Sequence, residues 1–377
     1  MKVCHLTTVH NRNDTRIFLK ECVSLKKAGY LVYLLVADGL GNDQQNGIQI
    51  VDVGNRSSNR ISRFILTTKK IYHQAVKLNA EIYHFHDPEL MPFAYWLKLK
   101  GKTVIYDSHE DLPRQLVSKP YINRFFSNFL SLVFEKVENF FSKRFSAIIT
   151  ATPHIKERFL KINPNTLDVN NYPILEEFHN TSDNTFKKNQ ACFVGGITEI
   201  RGIEPLVRAC DKINGKLVLV GRFSDTSFKN KIKRLDGWKN VDYRGFLSRQ
   251  EVKTILAESK VGIVTFLSAP NHINSQPNKM FEYMSASLPV LSSNFRLWKS
   301  IIETNKCGYC VNPQDSAGIA EKINLLFEND NLVEQLGNNG RSSVKNIFHW
   351  GIEEKKLLKL YKTYENSNNS RGKATVC

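Results

Sequence analysis

The sequence predicts an α/β protein built from two doubly wound domains, and three observations carry that prediction. Short, near-continuous apolar runs alternate with stretches of helical periodicity, in two separate series. A polar, irregular segment at 173–189, PILEEFHNTSDNTFKKN, lies between the series. The 377 residues exceed one ordinary core and suit two domains of roughly 150–200 residues each.

The first series places strands at 3–7, 31–36, 82–86, 103–106 and 147–150. Runs that are apolar on both faces are what buried parallel strands require. A helix is expected from Arg16, capped by Asp14 or Thr15 and ended by Gly29. The second series places strands at 191–195, 217–221, 241–245, 262–266, 289–292 and 308–311. The domains are therefore set at 1–172 and 190–351, with 173–189 as linker. A final helix at about 352–366 is expected to pack back on the first domain, and the Asn/Ser-rich residues from about Glu365 to fray.

Composition narrows the function classes. With 53 Lys and Arg against 36 Asp and Glu, the chain carries a formal charge of +17, a field that draws anionic lipid or phosphorylated substrates. No zinc-finger spacing, RNA-binding strand signature or basic zipper occurs, so no nucleic-acid partner is expected. The start MKVCHL lacks the charged head and apolar middle of a signal peptide, and no run approaches the ~20 apolar residues of a membrane span. A cytoplasmic location is the expectation. Seven scattered cysteines argue against a disulfide framework, and Cys307-Gly-Tyr-Cys310 is a single pair, too few for a four-ligand zinc site.

One segment of the first domain is basic and aromatic. Residues 120–145 interleave Phe125, Phe126, Phe129, Phe134, Phe140 and Phe141 with Arg124, Lys136, Lys143 and Arg144. Upstream, Arg56, Arg60, Arg63, Lys69, Lys70 and Lys77 run without an acid until Glu81. A helix of this kind either packs its aromatic face on the sheet or lies in a membrane interface, and its wide apolar face favours the membrane.

Ligands of doubly wound sheets bind beyond the carboxyl ends of strands. After the first strand of the second domain comes Gly195-Gly196-Ile-Thr-Glu-Ile-Arg201-Gly202. Glycines admit a ligand close to the backbone, a helix start near Gly202 offers free N–H groups, and Arg201 can clamp phosphate. Further on, Asn274-Ser-Gln-Pro-Asn278-Lys279-Met-Phe-Glu282 leads into Pro289-Val290. There Glu282 opens an apolar helix and can accept hydrogen bonds from a ribose diol, while Lys279 and the N–H groups near Asn278 can face a pyrophosphate. A capped helix with a first-turn glutamate is the plain structural reading of the same residues. In the first domain, HFHDPE (84–89) and YDSHED (106–111) follow two strands. Their His and carboxylate groups raise the question of metal, but without a helical H-x-x-x-H spacing a polar sugar-binding wall is preferred and no metal is expected.

Over nearly its whole length the chain resembles the retaining glycosyltransferases of family 4, with the GT-B fold of two Rossmann-like domains facing each other across a cleft. The glycine-basic loop 195–202, the segment 274–290, and the runs HFHDPEL (84–90), YDSHEDLP (106–113), TTVHNRNDTRIFLKE (7–21) and NNYP (170–173) carry the resemblance; the first-domain runs are similar to those of a bacterial surface-polysaccharide subgroup. The resemblance implies an acceptor-binding first domain and a second domain for a nucleotide-sugar, UDP-linked by default. It also implies retention of configuration without metal or other cofactor, and a membrane-associated, lipid-linked glycan acceptor at the inner face of the cell membrane. It gives Glu282 the ribose hydroxyls, Arg201 the diphosphate and His109 the donor sugar, and lets Asn278 and Lys279 offer N–H groups to phosphate. Two positions depart from the family pattern. Asn274 stands where the family has its first glutamate, and Gly196 where it has a phosphate-loop arginine, for which Lys279 is expected to substitute. A nucleotide-sugar 2-epimerase of the same fold and a non-catalytic, membrane-attached assembly protein are the alternative readings.

Overall fold

The computed structural model describes every residue except 57, 58, 60, 61, 118–123, 179–185, 271 and 375–377. Arg60, the start of the aromatic segment at 120–123 and the middle of the expected linker lie outside the described residues; of Arg124, Phe125 and Phe126 only the backbone is described. The chain divides into two compact units. The first comprises Met1–Asn171 with Gly351–Cys377, the second Tyr172–Trp350.

The first unit holds strands β1 (Lys2–Leu6), β2 (Leu31–Val36), β3 (Asp43–Gln45), β4 (Ile48–Asp52), β5 (Ile82–Phe85), β6 (Thr103–Ser108), β7 (Ala147–Thr150) and β8 (Thr166–Asp168). They form one sheet in the order β3-β4-β2-β1-β5-β6-β7-β8, parallel except for the β3–β4 pair. That hairpin and β8 are absent from the sequence prediction. The hairpin turns on Asn46-Gly47, both at positive φ (51° and 73°), the backbone that a two-residue turn between twisted strands requires. The core is apolar on both faces of the sheet, with Tyr83, Phe85, Tyr106 and Phe159 fully or almost fully buried.

Asp14 caps the first helical segment, its carboxylate accepting from the N–H groups of Arg16 and Ile17. The segment Thr15–Cys22 is π-helical before it continues as α-helix over Val23–Lys27. In the wider π turn, residues five apart come into line. Arg16 and Glu21 both point inward, with Nε and Oε1 3.2 Å apart.

The second unit holds β9 (Gln190–Val194), β10 (Lys216–Val220), β11 (Val241–Gly245), β12 (Val261–Val264), β13 (Val290–Ser293) and β14 (Gly308–Val311), all parallel, in the order β11-β10-β9-β12-β13-β14. Strand order therefore reverses between β9 and β12, as it does between β1 and β5 in the first unit. Helices depart to opposite faces at such a point and leave a crevice.

The last helix, Trp350–Ala374, continues well past Glu365, where fraying is expected from composition. Within the first unit Leu357 and Tyr361 are fully buried, Glu353 accepts from the Asn170 N–H at 2.9 Å, and Tyr364 donates to the Ser146 carbonyl. Lys356 joins this helix to Asp168 of β8 at 3.2 Å, and Lys156 meets the same carboxylate at 2.8 Å. Burial pushes the Asp168 carboxyl up, but the two lysines outweigh it and hold the group down at about 2. A depressed carboxylate contributes stability above its unfolded value of about 3.8, and that contribution is lost as pH falls through the folded value. Asp168→Asn should therefore cost about 1–2 kcal/mol at pH 7. Denaturant midpoints should show the gap to wild type narrowing between about pH 4 and pH 2; a pH-independent gap would contradict the ion-pair origin.

Candidate functional site

The crevice of the second unit is built from three strand ends. After β9 the chain passes through Gly195, at φ +128°, and Gly196. A Cβ on Gly195 would lie 3.1 Å from both Arg201 Nη1 and Lys279 Nζ, and one on Gly196 3.1 Å from Arg201 Nη1. The two cations thus converge on the glycine turn from different elements. A short 3-10 turn, Glu199–Arg201, presents Arg201, and Gly202 in the left-handed region (φ 71°) opens the Ile203–Ala209 helix. Gly202 is needed for a second reason: a Cβ there would meet the Thr265 carbonyl beyond β12 at 1.8 Å.

Lys279 comes from the Asn278–Ser285 helix, which starts four residues before Glu282 and so corrects the expectation that Glu282 opens it. The helix begins on Pro277, which has no side-chain oxygen to cap it, so the first-turn N–H groups of Asn278 and Lys279 remain available. Tyr283 fixes the helix against the sheet. Its hydroxyl accepts from the Val194 N–H at 3.0 Å, and its ring fills the space where a Cβ on Gly262 would sit.

The Lys279 Nζ is buried without a hydrogen-bond partner and lies 3.6 Å from the Phe193 ring centroid, with Phe266 at 5.3 Å. Burial first, and Arg201 second, push this amine well below the ordinary lysine range; Glu282 pulls the other way. Thr198 Oγ1, Thr265 Oγ1 and Gln276 Oε1, on the loops of the same strand ends, are also buried without partners. Unmet buried polar atoms are costly, and their concentration here points to a polar ligand.

Beside the glycine turn is a cavity of about 310 Å³ lined by Val194, Gly195, Gly196, Val220, Gly221, Arg222, Phe246, Leu247 and Val252. Arg222 lies over the Phe246 ring at 4.8 Å. On the other side of the site Glu282 Oε1 accepts from Arg249 Nη2 at 3.0 Å. Arg249 also grips Glu177 with two hydrogen bonds. Arg249 and Glu177 were not visible as site residues in sequence, because the linker glutamate and the first residue of a capped helix carry no motif. The arginine holds one oxygen of Glu282 and leaves Oε2 as the oxygen that can turn to a diol. Asn274 lies in the 272–277 turn, which Trp298 Nε1 anchors through the Ser275 carbonyl at 2.7 Å.

His109 belongs to the first unit, apart from the other predicted site residues. It lies beyond β6, and its Nε2 is 2.9 Å from Asp107 Oδ2. Asp107 also takes two hydrogen bonds from Arg16 (2.9 and 2.8 Å) and faces His86 Nδ1 at 3.2 Å. Burial would raise Asp107, but Arg16 and His109 overcome it and hold the carboxylate well below its usual range. Across the switch point Asp87 accepts from the Thr7 hydroxyl and the Thr8 N–H, and pairs with His10 at 3.2 Å. The His10 and His109 rings stand 5.0 Å apart. His109 is thus oriented by a buried, charged chain and stands at a half-open position.

Two family models match the chain: "Glycosyltransferase Family 4" over residues 16–169 and "Glycosyl transferases group 1" over 176–343. A capsular polysaccharide biosynthesis glycosyltransferase of Staphylococcus aureus, CapM, is 24% identical over 201 residues, 52% of this chain and 51% of its own. The chain spans about half the length of the curated relatives it matches. Among solved structures, sucrose-phosphate synthase of Thermosynechococcus elongatus superposes with a TM-score of 0.78 at 16% identity, over 97% of this chain and 99% of that one. Anabaena HepE in complex with UDP-glucose gives 0.72 at 13% identity, over 96% and 100%. These likenesses show the GT-B fold, and with both units matched in order the chain belongs to the family-4 type of glycosyltransferases.

Proposed function

We propose that this protein is a retaining glycosyltransferase that moves a sugar from a UDP-sugar to a membrane-associated, lipid-linked glycan acceptor in surface polysaccharide synthesis. The observation that carries the reading is the convergence of Arg201 and the unpartnered Lys279 amine on the Gly195-Gly196 turn. Preorganised cations and helix-end N–H groups are what a nucleoside diphosphate leaving group needs as negative charge develops on it. Lys279 replaces the cation lost at Gly196, Glu282 holds the ribose, and the apolar cavity beside the turn takes the base. The polysaccharide assignment draws on the relatives named above, and UDP on the complex of the structural neighbour. The donor's phosphate oxygen takes the acceptor proton in this reading, with His109 placed on the donor sugar.

The acceptor side rests on the Arg124–Ser142 helix of the first unit. One polar row of it faces inside: Ser127, Ser131, Glu138 and Ser142 are buried, and Glu138 is paired with Arg158 at 2.7 Å. Five of its large apolar residues are outside: Phe129, Leu132, Val133, Val137 and Phe140 are exposed, while Phe141 packs on the core. This is the reverse of a helix that packs its aromatic face on a sheet. Exposed Trp96 and Leu99 lie on the neighbouring Met91–Leu99 helix, and exposed Phe64, Ile65 and Leu66 precede the Thr68–Leu78 helix beside it. Lys69, Lys70, Lys136, Lys143 and Arg144 are exposed on the same elements or just beyond them. Apolar surface of this extent with interspersed cations matches an anionic membrane interface. Among the described residues no helix is long and apolar enough to cross a membrane.

Two measurements test the reading. Calorimetry should show UDP binding that Lys279→Ala weakens by about 10–100-fold, the range for a lost charge-assisted hydrogen bond, and that Glu282→Ala weakens as well. If none of UDP, GDP, ADP and CDP binds, the non-catalytic assembly reading takes its place. In vesicle flotation the wild type should bind phosphatidylglycerol vesicles in preference to neutral ones, less so at high salt, and L132E/F140E should lose at least about 10-fold in bound fraction. Equal flotation of wild type and variant would remove the membrane role from this helix.

A further inference from the structure

Behind the Asp107 chain lies a second cluster of side chains for which the transfer reaction has no use. His5 on β1, His84 and His86 at β5, and Glu21 in the π-helical segment are all buried, with no exposed surface on the side chains of the ion-pairing atoms. Three features of the fold bring them together. β1 and β5 pair in register, so His5 sits beside His84. His84 and His86 are two residues apart along one strand direction and face the same side. The π turn directs Glu21 inward beneath them.

One nitrogen of each imidazole and one oxygen of Glu21 all lie within 4.8 Å of one another. Glu21 Oε2 is 3.9 Å from His5 Nδ1, 4.0 Å from His84 Nδ1 and 4.0 Å from His86 Nε2, and His5 Nδ1 is 3.0 Å from His86 Nε2. A tetrahedral zinc with bonds of about 2.0–2.2 Å separates its ligands by roughly 3.3–3.6 Å, in the middle of this range. Neither oxygen of Glu21 has a hydrogen-bond partner, although Arg16 is close to Oε1; His5 Nε2 and His84 Nε2 have none either. A carboxylate buried among three imidazoles without a hydrogen bond is poorly satisfied by protein alone.

The outer shell is also that of a metal site. His86, with Nε2 toward the cluster, turns Nδ1 to Asp107 at 3.2 Å, and Asp107 is held by Arg16. His84 Nδ1, which faces Glu21, also lies 2.8 Å from the buried Tyr361 hydroxyl, so the ion takes that nitrogen in exchange for this hydrogen bond. A carboxylate on the far nitrogen, as Asp107 is for His86, fixes the tautomer and the ring plane of a metal-bound histidine.

We propose that His5, Glu21, His84 and His86 bind one divalent transition ion of the zinc class, as a structural centre of the first unit. Imidazole nitrogens with a single carboxylate select such an ion over magnesium or calcium. The ion joins β1, β5 and the Thr15–Cys22 segment, and through His86 it positions Asp107, which orients His109. Since the ligands are buried, the ion enters as the chain folds and is retained on dialysis.

The test is elemental analysis of the full chain expressed with zinc in the medium and dialysed against metal-free buffer. The expected result is about one zinc per chain, falling at least about 10-fold in Glu21→Gln and in His5→Gln. C307S/C310S, which removes the only C-x-x-C pair, should keep its zinc. Protein grown with cobalt should show visible d–d bands of a four-coordinate ion, without a sulfur-to-cobalt charge-transfer band in the near ultraviolet. That wild-type spectrum decides the matter if the variants fail to fold. Wild type with less than about a tenth of an equivalent of metal, full retention in Glu21→Gln, or a sulfur charge-transfer band would each overturn the proposal.

Discussion

The constraint on which both units depend is the reversal of strand order in a parallel sheet. Between β9 and β12, and again between β1 and β5, successive crossovers depart to opposite faces, so no helix covers the strand ends there. Backbone groups at those ends are left to find partners from loops or ligands. In the second unit the solution is cationic: Arg201, Lys279 and the start of the Asn278–Ser285 helix surround a turn kept clear of side chains by two glycines. In the first unit it is a chain of buried carboxylates, imidazoles and a single arginine.

The two solutions differ in how complete they are. Asp107 and Asp87 each collect several hydrogen bonds, so these carboxylates remain ionised although buried. Lys279 collects none, and Arg201 beside it adds repulsion to the cost of burial. A buried amine left unmet in this way costs stability that a bound anion returns, which is why unmet groups mark a ligand site more clearly than satisfied ones. The inverted Arg124–Ser142 helix follows the same logic at the surface. Inside, Ser131 donates to the Pro113 carbonyl and Glu138 accepts from Tyr106 and Arg158, while Phe129 and Phe140 face outward where only an apolar partner can cover them.

Much of this was readable from the residues. Eleven strands sit at the short apolar runs of the sequence, since burial on both faces of a parallel sheet calls for that pattern. That Arg201 and Lys279 meet at the Gly195-Gly196 turn follows from their places after two neighbouring strands, β9 and β12, in the sequence. What escaped has physical reasons. The β3–β4 hairpin is short and half-polar, and only Asn46-Gly47 announces it. Arg249 reaches Glu282 from a helix 33 residues away in sequence. His84 and His86 were weighed against a helical spacing, whereas alternation along a strand places both on one face; the contribution of Glu21 needed the π turn, which no local periodicity signals. For the 124–142 helix only the width of the apolar face favoured an outward orientation, since the stripe itself is the same whichever way it faces.

The central claim is that the Lys279 amine is completed by the diphosphate of the donor. The direct measurement is proton uptake on UDP binding at pH 8, where the diphosphate is itself fully ionised, taken from calorimetry in buffers of different ionisation enthalpy. An amine pushed below its ordinary range by burial holds its proton more tightly once the anion arrives, so the wild type should take up protons on binding UDP, and more as the pH is raised. Lys279→Arg, charged at every pH, should bind with none. Binding by the wild type without proton uptake, or the same uptake in Lys279→Arg, would contradict the account.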